Sequence, residues 1–194
     1  MGKGRLEAFS DGVIAIIITI MVLELKVPHG DDLPALLHLL PVFVSYVLSF
    51  VYVGIYWNNH HHMFQAVRQV SGKILWANMH LLFWLSLFPF VTNWAGENYQ
   101  SPLPIALYGV VLLMAGVAYY ILSQSLISHH GKDSALATAV GGDFKGKISL
   151  VIYAIGIPLT WVGWWLSFAL YILVAAIWFI PDRRIEKALI NKGE

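Results

Sequence analysis

Five long apolar stretches run along this 194-residue chain, and short polar segments separate them. A helix needs about 20 mostly apolar residues to cross a bilayer. The first four stretches therefore predict membrane spans at 9–25, 33–57, 74–94 and 104–127. The last stretch, 148–180, carries no charge and is too long for one span. Gly156, Pro158 and Gly163 interrupt it, so it predicts a hairpin of two short spans at 148–161 and 164–180.

Composition supports this all-α, polytopic membrane architecture. Hydrophobic residues make up 58% of the chain and charged residues 12%, whereas soluble domains carry about 25% charged residues. The mean hydropathy is +0.69. We therefore expect a single six-helix transmembrane domain over 1–194. The chain has no Cys, which excludes a disulfide framework and thiolate chemistry.

The charges predict how the chain lies in the membrane. With six spans, both termini lie on one side, and that side holds all of the 12 Lys and Arg residues except Lys26. The positive-inside rule then places both termini in the cytoplasm of a multi-pass protein of the cell (inner or plasma) membrane. The opposite loops hold Asp31, Asp32 and Glu97, with Asp32 a candidate N-cap of the second span. These carboxylates are expected to concentrate cations at the outer mouth.

The first span carries a stripe of residues suited to an ion path. At about 100° per residue, Ile16, Ile20 and Leu23 lie within about 60° of one another, and Thr19 lies on the same stripe. One hypothesis is that this stripe lines a pore. The alternative is an ordinary lipid-facing surface, because the span is apolar on every side.

Polar residues collect where the first three spans meet the cytoplasm. An ionised carboxylate at the head of an apolar helix is costly and needs partners. The expected members of this polar network, from the first, second and third spans in turn, are Arg5, Phe9, Ser10 and Asp11; Trp57, Asn58, His60 and His61; and Asn78 and His80. We expect them to form a structural network rather than to bind ions.

The same residues carry a resemblance to a known family. Arg5 followed by Phe9-Ser10-Asp11 at the head of the first span resembles the signature of the transmembrane protein 175 family of potassium channels. The segment 57–62 and the span pattern extend the resemblance over essentially the whole chain. It implies a homotetramer of six-helix subunits in the bilayer, with potassium as the permeant ion, no cofactor, no metal site and no nucleic-acid partner. The family lacks the usual potassium filter, and this chain has no Thr-Val-Gly-Tyr-Gly loop.

The resemblance also implies which residues line the pore. In that family the first helix surrounds the pore axis, and bulky apolar residues on it form the constriction. Matched by distance from Asp11, the constriction nearest the cytoplasm falls on Ile16, and the next layers fall on Ile20 and Leu23. The family's pore-facing threonine falls on Thr19. Rings of such apolar side chains can close a pore by dewetting.

The sequence alone is also compatible with other functions. Asp11 with His60, His61 and His62 could carry protons, which would make the chain a proton-permeable channel or a proton-coupled transporter. The three histidines are a poor chelate, because adjacent helical residues point about 100° apart. An enzyme is not expected, since no nucleophile with a base is recognisable. No span carries the regular Arg series of a voltage sensor.

Overall fold

The computed structural model describes residues 2–67, 69–131, 137 and 143–179. These residues form helices and no strand. In chain order the helices are α1 (Lys3–Leu23), α2 (Leu33–His38), α3 (Leu40–Gln65), α4 (Gly72–Ser86), α5 (Phe88–Glu97), α6 (Pro102–His130), α7 (Phe144–Leu159) and α8 (Trp164–Phe179). The end of the last predicted span, Ile180, lies outside the described residues. So do six of the Lys and Arg residues used for orientation: Arg68, Lys132, Arg183, Arg184, Lys187 and Lys192.

The structure divides the predicted second span of 33–57. Asp32 caps the short helix α2, where its Oδ1 accepts from the amide of Ala35 at 3.0 Å. The longer helix α3 begins only at Leu40, because Pro41 has no N–H to donate and its ring clashes with the preceding turn. At its other end α3 continues to Gln65 and so contains the whole histidine run. A second proline, Pro89, lies just after the break between α4 and α5 at Leu87.

Four segments are long and apolar enough to cross a membrane, namely Lys3–Leu23, Leu40–Gln65, Gly72–Glu97 and Pro102–His130. The third is α4 and α5 taken together. Helices α7 and α8 have 16 residues each. At 1.5 Å per residue each is about 24 Å long, somewhat less than the hydrocarbon core of a typical bilayer. The fold is therefore that of a multi-pass helical membrane protein.

Helix α6 lies at the centre of the bundle. It packs against α4 and α5 on one side and against α7 and α8 on the other. Gly109 allows the close approach of α8, because a Cβ at this position would clash with the hydroxyl oxygen of Tyr171. Helix α1 lies at the edge of the bundle, where it packs against α3, α4 and α5. Its position leaves one side of α1 uncovered.

Contacts at the two ends of the bundle show that α1 runs in the same direction as α4 and α5. Asn78 near the start of α4 bonds to Ser10 near the start of α1. At the other end Lys26, just after α1, pairs with Glu97 at the end of α5. We call the end that contains Ser10 and Asn78 the histidine end, because His60 lies there as well.

Candidate functional site

Helix α1 has a buried face and an exposed face. Leu6, Ser10, Ile14, Ile17 and Met21 form the buried face, and none of them is more than 3% exposed. Their spacing of three or four residues is that of one side of a helix. This face attaches α1 to the bundle.

The predicted stripe lies on the exposed face of α1. Ile16 is 58% exposed, Ile20 41% and Leu23 80%, and Thr19 is exposed as well. The hydroxyl of Thr19 donates to the carbonyl oxygen of Ile16 at 2.8 Å. Its lone pairs therefore remain as acceptors on an otherwise apolar surface. The structure brings all four residues onto the side of the chain that faces away from its own core.

A buried hydrogen-bond chain joins three helices at the histidine end. His60 Nε2 lies 2.8 Å from Asn78 Oδ1, and Asn78 Nδ2 donates to Ser10 Oγ at 2.9 Å. Ser10 Oγ in turn donates to the carbonyl oxygen of Leu6 at 2.9 Å. None of the three polar side chains is more than 1% exposed in total. The chain satisfies these groups mutually and fixes α1 against α3 and α4.

Asp11 has a separate partner. The indole N–H of Trp57 donates to Asp11 Oδ1 at 3.0 Å. The Trp57 ring stacks on the ring of His61, with centroids 6.0 Å apart. Both Asp11 and Trp57 are exposed in the isolated chain, as are Arg5 and Phe9. The predicted polar network therefore contains a buried part at Ser10 and an exposed part at Asp11.

The remaining members of the predicted network make local contacts. His61 and His62 contact Gln65, one turn further along α3, at 2.9 and 3.4 Å. His80 Nε2 accepts from the indole of Trp84 at 3.0 Å. Asn58 is half-buried. Gln65 was missed in the sequence, although its spacing of three and four residues from the two histidines is a recognisable signal.

No metal site is formed by the described part of the chain, in which no three His, Asp or Glu side chains are grouped to hold an ion.

The three carboxylates predicted at the outer mouth differ from one another in their surroundings. Glu97 forms an ion pair with Lys26 at 2.8 Å. This hydrogen bond, together with the charge of Glu97, raises the pKa of Lys26 above its ordinary value. Asp32 is the cap of α2 and Asp31 is exposed.

An open groove adjoins the predicted stripe of α1 at Ile20. Ile20 and Glu24 line it on one side, and Asn93 and Glu97 of α5 line it on the other. Its volume is about 480 Å³. The side-chain oxygen of Asn93 is buried and accepts no hydrogen bond from the described residues. The sequence pointed to Glu97 here but not to Glu24 or Asn93.

Comparison with known proteins finds relatives among ion channels. A family model described as the endosomal/lysosomal potassium channel TMEM175 matches residues 5–89. A potassium channel of Chryseobacterium sp. (strain P1-3) is 54% identical over 97% of this chain and 98% of its own length. The human endosomal/lysosomal proton channel TMEM175 is 37% identical, over 37% of this chain and 16% of its own length.

A solved structure is similar in fold. The crystal structure of a lysosomal potassium-selective channel TMEM175 homolog from Chamaesiphon minutus matches with a TM-score of 0.80 and 27% sequence identity. The match covers 93% of this chain and 97% of that one. The similarity therefore extends over nearly all of both chains.

Proposed function

Because the chain belongs to the TMEM175 family, we propose that it is a potassium channel that selects potassium over sodium. The family consists of ion channels rather than enzymes. Potassium is then the permeant ion, and the channel needs no cofactor. The bacterial relative, named as a potassium channel, supports this choice because its identity to this chain extends over nearly the full length of both.

We propose that four copies of the chain surround one pore in the cell membrane. A single α1 cannot enclose a pore, and closed cyclic symmetry brings one copy from each subunit to a common axis. Each subunit would cross the membrane six times, with α4 and α5 as one crossing and α7 and α8 as one short crossing each. The excess of Lys and Arg on one side supports cytoplasmic termini.

The exposure of the α1 stripe is the observation that carries the proposal. Ile16, Ile20 and Leu23 face away from the bundle, yet their helix is attached to the bundle by a fully buried opposite face. A helix held in this way presents the same surface in every subunit. Around a fourfold axis the three positions become three stacked apolar rings, which close the path when the neck is too narrow for liquid water.

Thr19 would contribute the polar atoms of the pore. Its hydroxyl hydrogen is used by the carbonyl oxygen of Ile16, so oxygen lone pairs face the axis between the Ile16 and Leu23 rings. Four such oxygens can replace part of the hydration shell of a cation. Potassium loses its water more readily than sodium does, so a neck of this kind favours potassium.

The test is ion flux through purified protein in liposomes, with potassium compared against sodium. Ile16→Asn should hydrate the neck and raise the flux or reduce its selectivity. Val22→Asn is the matched control, because Val22 is 46% exposed on the same helix but about 120° away from Ile16. Equal flux and selectivity in both variants and the unmodified protein would exclude Ile16 as the constriction.

Proton conduction is the second candidate, and the human relative named as a proton channel favours it. The buried hydrogen-bond chain at the histidine end is one possible route for protons. It runs from His60 through the Asn78 amide to Ser10 and ends on a backbone carbonyl oxygen. An amide does not release a proton readily, and a carbonyl oxygen has none to pass on. The geometry therefore supports a structural role, and proton-driven dye quenching in the same liposomes decides between the two functions.

A further inference from the structure

The open groove and helix α3 lie on opposite sides of the exposed face of α1. Trp57 of α3 bonds to Asp11, whereas Glu24 lines the groove together with Asn93 of α5. At about 100° per residue, Asp11 lies about 120° to one side of Leu23, and Glu24 lies about 100° to its other side. Helix α3 therefore flanks α1 on one side, and the groove flanks it on the other.

Helix α3 carries a stripe of bulky side chains that its own subunit leaves uncovered. Phe43, Val47 and Phe50 are each about half exposed, and their spacing of four and three residues places them on one side of the helix. The ring of Tyr46 lies between those of Phe43 and Phe50, with centroids 6.3 and 6.2 Å away. We call these four residues the α3 stripe.

The groove and the α3 stripe each hold a polar group without a partner in the part of the chain that the structure describes. Asn93 Oδ1 is buried beside the groove and accepts no hydrogen bond. The hydroxyl of half-buried Tyr46 makes no hydrogen bond either. A hydroxyl can donate the bond that an amide oxygen lacks. Acyl chains cannot, so lipid filling the groove would leave a costly unsatisfied group.

These two polar groups lie at nearly the same depth along the bundle. Gly96 of α5 lies against Val42 of α3, since a Cβ on Gly96 would be 2.7 Å from the Cα of Val42. Helix α3 runs opposite to α1 and α5, because Trp57 near its end bonds near the start of α1. Asn93 is three residues back from Gly96, and Tyr46 is four residues on from Val42. Their depths therefore differ by about 1.5 Å, the rise of one residue.

We propose that each groove receives the α3 stripe of a neighbouring copy of the chain, and that Tyr46 of the partner subunit donates to Asn93 Oδ1. The inference rests on the fourfold assembly proposed above. In a closed ring the contacts are heterologous, so the surface on one side of α1 meets the surface on the other side of α1 in the next subunit. Rotation about an axis along the membrane normal keeps the depth of each residue, so the two polar groups meet.

Cysteine cross-linking tests the contact, because the chain has no Cys of its own. Val47→Cys and Phe90→Cys are combined in one chain, since Phe90 lines the groove and lies within about one residue rise of Val47 in depth. The protein in liposomes is treated with a short bismaleimide and run on a denaturing gel. We expect covalent dimers, trimers and tetramers, because each subunit is linked to two neighbours.

A second pair is the matched control for the cross-linking. Val151 is 52% exposed on α7, and α6 separates α7 from α4 and α5. Val151→Cys combined with Phe90→Cys should therefore remain monomeric on the gel. A tetramer by light scattering that gives no cross-links with Val47→Cys and Phe90→Cys, or equal cross-links with both pairs, would overturn the proposal. Lipid in the groove would give the first of these results.

Subunit exchange tests the hydrogen bond itself. Tyr46→Phe removes the hydroxyl and keeps the ring, and Asn93→Leu removes the amide at similar volume. Each should speed the exchange of subunits between two differently labelled tetramer populations about fivefold, as expected for the loss of one hydrogen bond. The combined variant should exchange no faster than either alone. Tyr120→Phe is the control, because Tyr120 lies on α6 and does not line the groove. Equal rates in Tyr46→Phe and Tyr120→Phe, or additive effects in the combined variant, would overturn the pairing.

These results are independent of ion conduction. Cross-links at Val47 and Phe90 in a protein that conducts no potassium would support this interface and overturn the proposed channel function. Potassium-selective flux without these cross-links would overturn the interface and leave the channel function in place.

Discussion

The indole N–H of Trp57 donates a 3.0 Å hydrogen bond to Asp11 Oδ1. This bond joins the first turns of α1 to the end of α3 and provides a neutral donor, rather than a cation, for the carboxylate. Because Asp11 is exposed in the isolated chain, the carboxylate retains access to water. The bond therefore orients α1 without burying a charge.

Removing either partner of this bond should loosen the attachment of α1. Asp11→Ala and Trp57→Phe are each expected to cost about 1 kcal/mol, the usual net contribution of one hydrogen bond. The combined variant should cost little more than either alone, because the same bond is lost in all three. Thermal unfolding of the purified proteins measures this, and size-exclusion chromatography shows whether their assembly changes. Additive losses would mean that the two residues act separately.

Breaking the buried hydrogen-bond chain at the histidine end should lower the stability of the fold more than breaking the bond between Asp11 and Trp57. Asn78→Ala removes the partner of His60 Nε2 and also the donor to Ser10 Oγ, which keeps only its bond to the carbonyl oxygen of Leu6. The expected cost is about 2–4 kcal/mol, since an unsatisfied buried group costs about 1–3 kcal/mol and a lost hydrogen bond about 1 kcal/mol. Asn98→Ala is the control, because exposed Asn98 bonds only within its own turn. Equal unfolding temperatures in the two variants would contradict a structural role for the chain.

Much of the fold could be predicted from the pattern of apolar residues. Spans over 74–94 and 104–127 lie within the helical segments that the structure has there, because long uncharged segments in a chain of this composition have few alternatives to a membrane helix. The division at Leu39 was not predicted. It depends on Pro41, and the same proline is also acceptable in the first turn of a helix, so the sequence alone left both possibilities open.

The sequence grouped the polar residues at one end of the spans but did not predict how they pair. Ser10, Asp11, Trp57 and His60 were expected near one another, since polar residues at one end of several spans must meet, and their part in channel function stays a prediction. Which of them bond depends on the rotation of each helix about its axis. Two adjacent residues of α1 differ in their surroundings for this reason. The side chain of Ser10 is turned into the bundle and that of Asp11 is not.

Thr19 offers a test of selectivity with nearly constant shape. Thr19→Val replaces the hydroxyl by a methyl group and should reduce the ratio of potassium to sodium flux several-fold if the oxygen ring replaces water around the ion. Thr19→Ser keeps the oxygen and should retain the ratio. Reversal potentials in mixed potassium and sodium solutions measure it. A ratio unchanged in Thr19→Val would assign selectivity to the apolar rings alone.

The ion pair beyond the end of α1 predicts a dependence on alkaline pH. Glu97 raises the pKa of Lys26, so the pair stabilises the folded state fully below the ordinary lysine pKa of 10.5. This contribution is lost as the pH rises through the higher folded value. The difference in unfolding temperature between the unmodified protein and Lys26→Met should be constant from neutral pH to about pH 10 and then decrease. A difference that changed near neutral pH would require another titrating group.

At Gly96 the packing of α5 against α3 leaves no room for a side chain. A Cβ on Gly96 would lie 2.7 Å from the Cα of Val42, so α3 and α5 would have to separate. Backbone atoms cannot avoid the contact by a rotamer change, and overpacking of this kind costs about 1–3 kcal/mol. Gly54→Ala is the matched control, because a Cβ there meets no atom within 4 Å. Thermal unfolding should show a clear loss for Gly96→Ala and almost none for Gly54→Ala. Similar temperatures for both would mean that α3 and α5 are further apart than this contact requires, and the rigid support of α1 by these helices would then be in question.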